Sequence, residues 1–264
     1  MTTVRSRGAP RRLLRNFYRR NLPALLITAG LLALGACSSA GAGAEELPAG
    51  PYDHMDGVPF NSTDISSWAT AVTFYSQGDD VTGYDDISTA TGPASGVSTD
   101  VFVLGRGGTV ILEFARTFGD GPHADFALFE NALGTRDNLF AELAYVSVSS
   151  TGTANSDFVR FPVATTRTTE VPAYGRVNAA NYDGFAGLHP AGSGTAFDLA
   201  ELSKTQPVVD GDVDLSAIRY VRLVDAVGDG SETDKDGNLI YDPYPTTGTA
   251  GFDLDGVALL KGGQ

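Results

Sequence analysis

From residue 52 onward, hydrophobic positions fall into short runs separated by clusters of Gly, Asp, Asn, Ser and Pro. Runs of this length between turn residues predict strands, not helices. Residues 101–104 and 109–114 flank a turn at 105–108, and a second turn occupies 119–122. Residues 125–130 form an apolar run ending in Glu130, and residues 142–150 begin with Glu142. Within the second run Ala144, Val146 and Val148 alternate with more polar positions, the pattern of a strand with one buried face. Gly134, Asp137 and Asn138 place turns between the two runs. If these strands pair antiparallel across 131–141, Glu130 and Glu142 lie together at one end of a hairpin.

Further strands are expected at 157–161, closed by Pro162, then at 217–225 and 252–260. Across 217–225 the alternation sets Ile218, Tyr220 and Arg222 on one face and Arg219, Val221 and Leu223 on the other. Residues 72–75 lead into the domain after a short helix capped by Ser62 or Thr63, and Trp68 reads as a packing residue. The stretches 77–98, 164–216 and 226–251 read as loops, with one helical turn at 197–202. Some eight strands and no long amphipathic helix predict an all-β, antiparallel jelly-roll-like β-sandwich with long loops. A parallel α/β fold lacks the crossover helices it would need.

The first 36 residues have a different character. Seven arginines precede an apolar run at 22–34, which ends in Leu34-Gly35-Ala36-Cys37. A basic segment before a short apolar run predicts an export signal. Its ending resembles the lipobox of bacterial lipoproteins, in which the cysteine becomes the lipidated first residue. Cys37 is the only cysteine, so no internal disulfide can form. Arg19-Arg20 resembles a twin-arginine signal, but Asn21-Leu22-Pro23 continues it poorly. Ser38, where an inner-membrane retention signal would carry aspartate, favours an outer-membrane address. Residues 37–51 read as a flexible tether and 52–264 as one domain.

Removing the signal sharpens the charge. The chain has 18 basic and 32 acidic residues; without the seven arginines, 11 bases face 32 acids, a net charge of −21. Such a surface repels nucleic acid and suits hard, oxygen-ligated cations. Asp229, Asp234, Asp236 and Asn238 form an acidic stretch that suggests a Ca²⁺ loop. The EF-hand spacing fails, because Gly237 comes early and Pro245 stands where the bidentate glutamate belongs. An acidic turn bonding its own backbone is the competing reading. Glu130, Glu142, Asp253 and Asp255 sit at ends of apolar strands, where a bare carboxylate needs a cation, an arginine or N–H donors. Arg219 and Arg222 are candidate partners; Ca²⁺ held by Glu130 and Asp253, with Asp255 or the 229–242 loop, is the other.

Glu130 and Glu142 are also the one pair to nominate for glycoside hydrolysis. His54, His123 and His189 are too scattered for a zinc motif, and no nucleophile elbow or phosphate loop occurs. A non-enzymatic module is the preferred class, with Tyr241 and Tyr244 (alongside Tyr182 and Phe185) as candidate ligand-stacking or loop-pinning rings. A purely structural or adhesive surface protein fits equally.

Several phrases together carry a resemblance. They include Trp68-Ala69-Thr70, Gly107-Gly108-Thr109-Val110-Ile111-Leu112-Glu113-Phe114, Asp120-Gly121-Pro122, and Asp125-Phe126-Ala127-Leu128-Phe129-Glu130-Asn131. Phe140-Ala141-Glu142, Val146-Ser147-Val148-Ser149, Arg219-Tyr220-Val221-Arg222-Leu223-Val224-Asp225 and Gly251-Phe252-Asp253-Leu254-Asp255 complete them. Over roughly residues 65–260 the chain resembles a family of bacterial secreted or cell-surface β-sandwich proteins of uncharacterised function, some lipid-anchored and some with sorting tails. The closing Phe252-Asp253-Leu254-Asp255 also resembles jelly-roll carbohydrate-binding modules, which implies structural calcium and a glycan ligand.

Overall fold

The computed structural model describes residues 52–152 and 154–263. The expected export signal, Cys37 and the expected tether lie outside the described residues. Eight strands build the core: β1 (Ile65–Trp68), β2 (Ala71–Ser76), β3 (Thr109–Phe118), β4 (Phe126–Glu130), β5 (Ala144–Ser149), β6 (Ser193–Phe197), β7 (Ile218–Asp225) and β8 (Asp253–Leu260). One sheet has the order Gly57–Pro59, β6, β4, β8, β1, with Phe102–Val103 also paired to β8. The other runs Val159–Arg160, β5, β7, β3, β2, with Phe185–Ala186 also paired to β5. All pairings within these two sheets are antiparallel. The all-β sandwich expected from the pattern is the fold, and the longest α-helix among the described residues is Gln206–Val209.

Phe126, Leu128, Leu254, Val257 and Leu259 from one sheet meet Val110, Leu112, Phe114, Val146, Val148, Val221 and Leu223 from the other. Fully burying each such side chain contributes about 1.5–3 kcal/mol. Phe126 is ringed by Phe118, Phe161 and Phe197 at 5.8, 5.9 and 5.3 Å. The outer faces are covered too. Ala127, Phe129 and Ala258 pack under Trp68, while Tyr145 and Phe185 join Leu139, Leu143 and Ile240. Residues 125–130 therefore read as a continuous apolar run because β4 is buried on both faces.

Four expectations change. Strands β4 and β5 do not pair: they lie in opposite sheets, and residues 131–141 cross between the sheets through a ribbon of Leu133–Thr135 and Asn138–Phe140. The strict alternation across 217–225 breaks at a bulge between Ile218 and Tyr220, so Ile218, Val221 and Leu223 share the core while Arg219 and Tyr220 both face outward. The helix after Ser62 is instead strand β1. Residues 193–197, read as loop because Ser, Gly and Thr dominate them, form β6 against β4. The turn at 197–202 is present as a 3-10 helix, Leu199–Leu202.

Candidate cation site

In antiparallel neighbours the end of one strand lies beside the start of the next. That rule gathers the acids. Glu130 closes β4 and pairs in register with Leu254 of β8, which puts Asp253 beside it. Asp225 closes β7 opposite Ala144, which follows Glu142 by two residues. One end of the sandwich thus collects Glu130, Glu142, Asp225 and Asp253, and Asp242 joins them from the 226–251 stretch.

Their partners differ. Asp225 accepts N–H bonds from Phe252 and Gly107, both at 2.8 Å. Asp242 accepts from the Leu143 N–H at 2.9 Å. Glu142 Oε1 accepts from the Thr246 hydroxyl at 2.6 Å and the Gly251 N–H at 3.0 Å. Glu130 is 5% exposed, and its Oε1 has only a long contact, 3.4 Å, from the Glu142 N–H. Glu130 Oε2, Asp253 Oδ1 and the Asn131 Oδ1 are sealed from solvent without a donor. Gly187, at φ +93°, lies over Glu130; a Cβ there would stand 3.3 Å from Oε2 and 2.5 Å from the Glu142 carbonyl oxygen. Glu130, Asn131 and Asp253 line one cavity of ≈180 Å³ with Tyr84, Ser98, Val101, Val103, Leu133, Phe140, Glu142 and Thr249.

Burial dominates the electrostatics. It pushes Glu130 well above the carboxylate range, helped by the charges of Asp253 and Glu142. It raises Glu142 to about 9 and Asp253 to about 7. Asp242 also moves well up, and Asp225 to about 7. No ion pair of the described residues relieves Glu130, Glu142, Asp242 or Asp253. The arginines considered as partners are engaged elsewhere: Arg219 pairs with Glu113 at 2.7 Å, and Arg222 lies over the Phe158 ring.

The remaining candidates separate from this cluster. Asp255 accepts the N–H groups of Ser95 and Gly96, both at 2.8 Å, and pins that loop. Residues 229–241 are a hairpin of Asp229–Thr233 and Leu239–Tyr241 rather than a loop. Asp234 caps its turn, accepting from Asp236, Asn238 and Thr165 N–H groups and the Asn238 amide. Those bonds outweigh the cost of burial and hold Asp234 down at about 2. Asp229 accepts from the Ser231 N–H, and Asp236 pairs with Lys235. The backbone-capping reading of this stretch is what the geometry contains; Asp242 joins the strand-end acids, and the charge of Glu232 acts on Asp225 and Asp242. Tyr241 and Tyr244 do not line the cavity. The Tyr241 carbonyl accepts the Tyr182 hydroxyl, and Arg106 covers the Tyr244 ring at 5.1 Å. Tyr244 borders a separate cleft with Glu170 and Asp229, and on its other side a narrow gap lined by Glu142, Asp225 and Asp242.

At the opposite end of β4, Asp120, Asp125 and Asp198 bring carboxylate oxygens within 4.8 Å of one another. The sequence reading missed this group. Asp125 accepts from Gly121 and Leu199 N–H groups and Asp198 from Ala200, so these acids close the turn at Leu199–Leu202. Among the described residues no other three His, Cys, Asp or Glu side chains come as close. A cation between Glu130 and Asp253 would therefore need further oxygens from the Asn131 amide or from other residues lining the cavity, such as Ser98 and Thr249, rather than from a third close carboxylate. Asn131 was legible only as the neighbour of Glu130; Asp225 and Asp242 stood in the sequence as further acids with nothing to single them out. No family model, curated protein or solved structure matches the chain.

Proposed function

We propose that this chain is a non-enzymatic, exported surface module whose sandwich end binds one structural Ca²⁺ through Glu130, Asp253 and Asn131. One observation carries the reading: Glu130 is nearly fully buried, and its Oε2 has no donor while Asp253 and Asn131 oxygens beside the same cavity also lack one. An unpaired buried carboxylate is costly, whereas a hard cation satisfies several oxygens at once. Two carboxylates also balance one divalent charge.

Hydrolysis by Glu130 and Glu142 fits less well. Glu142 Oε1 is held by Thr246 and Gly251, and the ≈180 Å³ cavity is smaller than the roughly 300–1,000 Å³ of ordinary ligand pockets. Such a space does not enclose a bond between two sugar rings. Isothermal titration of the 52–264 domain with CaCl₂ should give one site, lost in Asp253→Asn and kept in Asp236→Asn. Equal binding by the wild type and Asp253→Asn refutes the site.

The anchor belongs to the same reading. Lipid attached at Cys37 would hold the module at the envelope, facing the outside. Cys37→Ser should move the protein to the soluble fraction or leave a precursor; normal processing with full membrane retention contradicts it.

A further inference from the structure

We infer that residues 52–56 form a pH-sensitive strap, fastened while the His54 imidazole is charged and loosened when it is neutral. The three histidines of the chain, far apart in sequence, converge on this segment. His54 belongs to it, His123 Nδ1 meets Asp53 Oδ1 at 2.9 Å, and His189 Nε2 lies 2.9 Å from the Met55 carbonyl oxygen. Backbone bonds complete the strap. The Met55 N–H donates to the Ala196 carbonyl at 3.0 Å, Ala196 N–H to Asp56 at 3.1 Å, and Ala124 N–H to Tyr52 at 3.1 Å. The strap runs directly into Gly57–Pro59, which edges its sheet against β6.

The chemistry of His54 sets the condition. Its Nε2 lies 3.1 Å from Asp183 Oδ1, and its Nδ1 is in ion-pair contact with Glu201 Oε1. A neutral imidazole carries one N–H, so it donates to one carboxylate and turns a lone pair toward the other. Only the imidazolium faces both with a proton. Asp183 comes from the short strand Tyr182–Asp183 and Glu201 from the 3-10 helix Leu199–Leu202, so the charged ring ties the strap to two separate elements. The third neighbour is apolar: the Phe197 ring of β6 stands edge-on at 6.4 Å. Asp183 is exposed, whereas His54 Nδ1 and Glu201 Oε1 are sealed from solvent with no other partner. Glu201 is therefore the stronger hold.

The signs follow from these neighbours. Burial opposes charge on His54, but Glu201 and Asp183 outweigh it and raise the group above its ordinary 6.5. Its contribution to the fastened strap is full below pH 6.5 and is lost as pH rises through the folded value. His189 behaves differently. Burial, with the Arg136 charge, holds it below 6.5 against the Met55 bond and Asp56. It is neutral above pH 6.5 and donates its Nε2–H to Met55, with its ring backed against Gly57, where a Cβ would stand 2.7 Å from Nδ1. The change above pH 6.5 thus belongs to His54. The His123–Asp53 pair adds little, because Asp53 is 80% exposed. Loosening the strap frees Gly57–Pro59 and uncovers the outer edge of β6, a row of backbone groups open to pairing.

The test is amide hydrogen exchange of the chain from residue 38 onward, so that no terminus falls in the strap, in EDTA at pH 6.5 and 8.5. After correction for intrinsic exchange, protection of the Met55 and Ala196 amides should fall about 5-fold between the two, the order by which a hydrogen bond to a charged group exceeds a neutral one. Amides of β7 give the reference for global opening. His54→Gln should make the ratio of strap to β7 protection independent of pH. Glu201→Gln, which keeps the side-chain shape, should shrink the pH dependence and lower the His54 titration midpoint followed by NMR. Strap protection that does not change with pH in the wild type would overturn the strap. So would an undiminished pH dependence in His54→Gln, or an unmoved His54 midpoint in Glu201→Gln.

Discussion

At the residue scale, the strand-end acids differ in who satisfies them. Asp225 has both oxygens on backbone N–H groups, yet burial still lifts it to about 7 from an ordinary 3.8. The folded state therefore holds a proton there between about pH 4 and 7 that the unfolded chain has released. Stability contributed by that proton is present below the unfolded value and lost as pH rises through the folded one. The size is on the order of 4 kcal/mol, at 1.36 kcal/mol per unit. In EDTA, melting temperature should fall from pH 5 to pH 8, and Asp225→Asn should make that fall shallower. The asparagine amide would face one of the two N–H donors, so the variant melts lower throughout; the slope is the readout. Parallel slopes for the two proteins would contradict this assignment. Glu130 differs because no backbone donor reaches Oε2, which makes it the better candidate ligand.

At the scale of elements, what was legible followed the packing of each strand. Strands β3, β5 and β8 were readable because apolar or alternating runs are bounded by turn residues. Strand β6 was not, since Ser193-Gly194-Thr195-Ala196 carries little side chain; Gly194 lies so close to Phe129 that a Cβ would meet its ring at 2.9 Å. A strand that owes its place to a neighbour's bulk leaves no periodic signal of its own. The bulge in β7 was equally silent, because alternation in sequence assumes an unbroken pleat. The meeting of Glu130 and Glu142 was anticipated for a mistaken reason. They meet through a crossing between sheets, where register cannot be read from a hairpin turn. Asp255 was misplaced by the same bulge effect: the shift between Leu254 and Gly256 accompanies a side chain turned to Ser95 and Gly96, away from Asp253's cavity.

For the whole molecule, the two ends of the sandwich solve the same problem in different ways. At one end Asp120, Asp125 and Asp198 crowd together, and backbone N–H groups satisfy the buried oxygens of Asp125. At the other, Glu130, Asn131 and Asp253 leave three oxygens unpaired beside a cavity bordered by exposed tyrosine and leucine side chains. The second end is the one proposed here to take a cation. Thermal melting of the 52–264 domain in EDTA and in millimolar CaCl₂ tests this most directly. A hundredfold excess over Kd stabilises by about 2.7 kcal/mol, or roughly 5–10 °C for a domain of this size. The wild type should gain that increment in calcium, and Glu130→Gln should melt at the same temperature in both buffers. A wild-type melting temperature indifferent to calcium and EDTA would contradict the cation site.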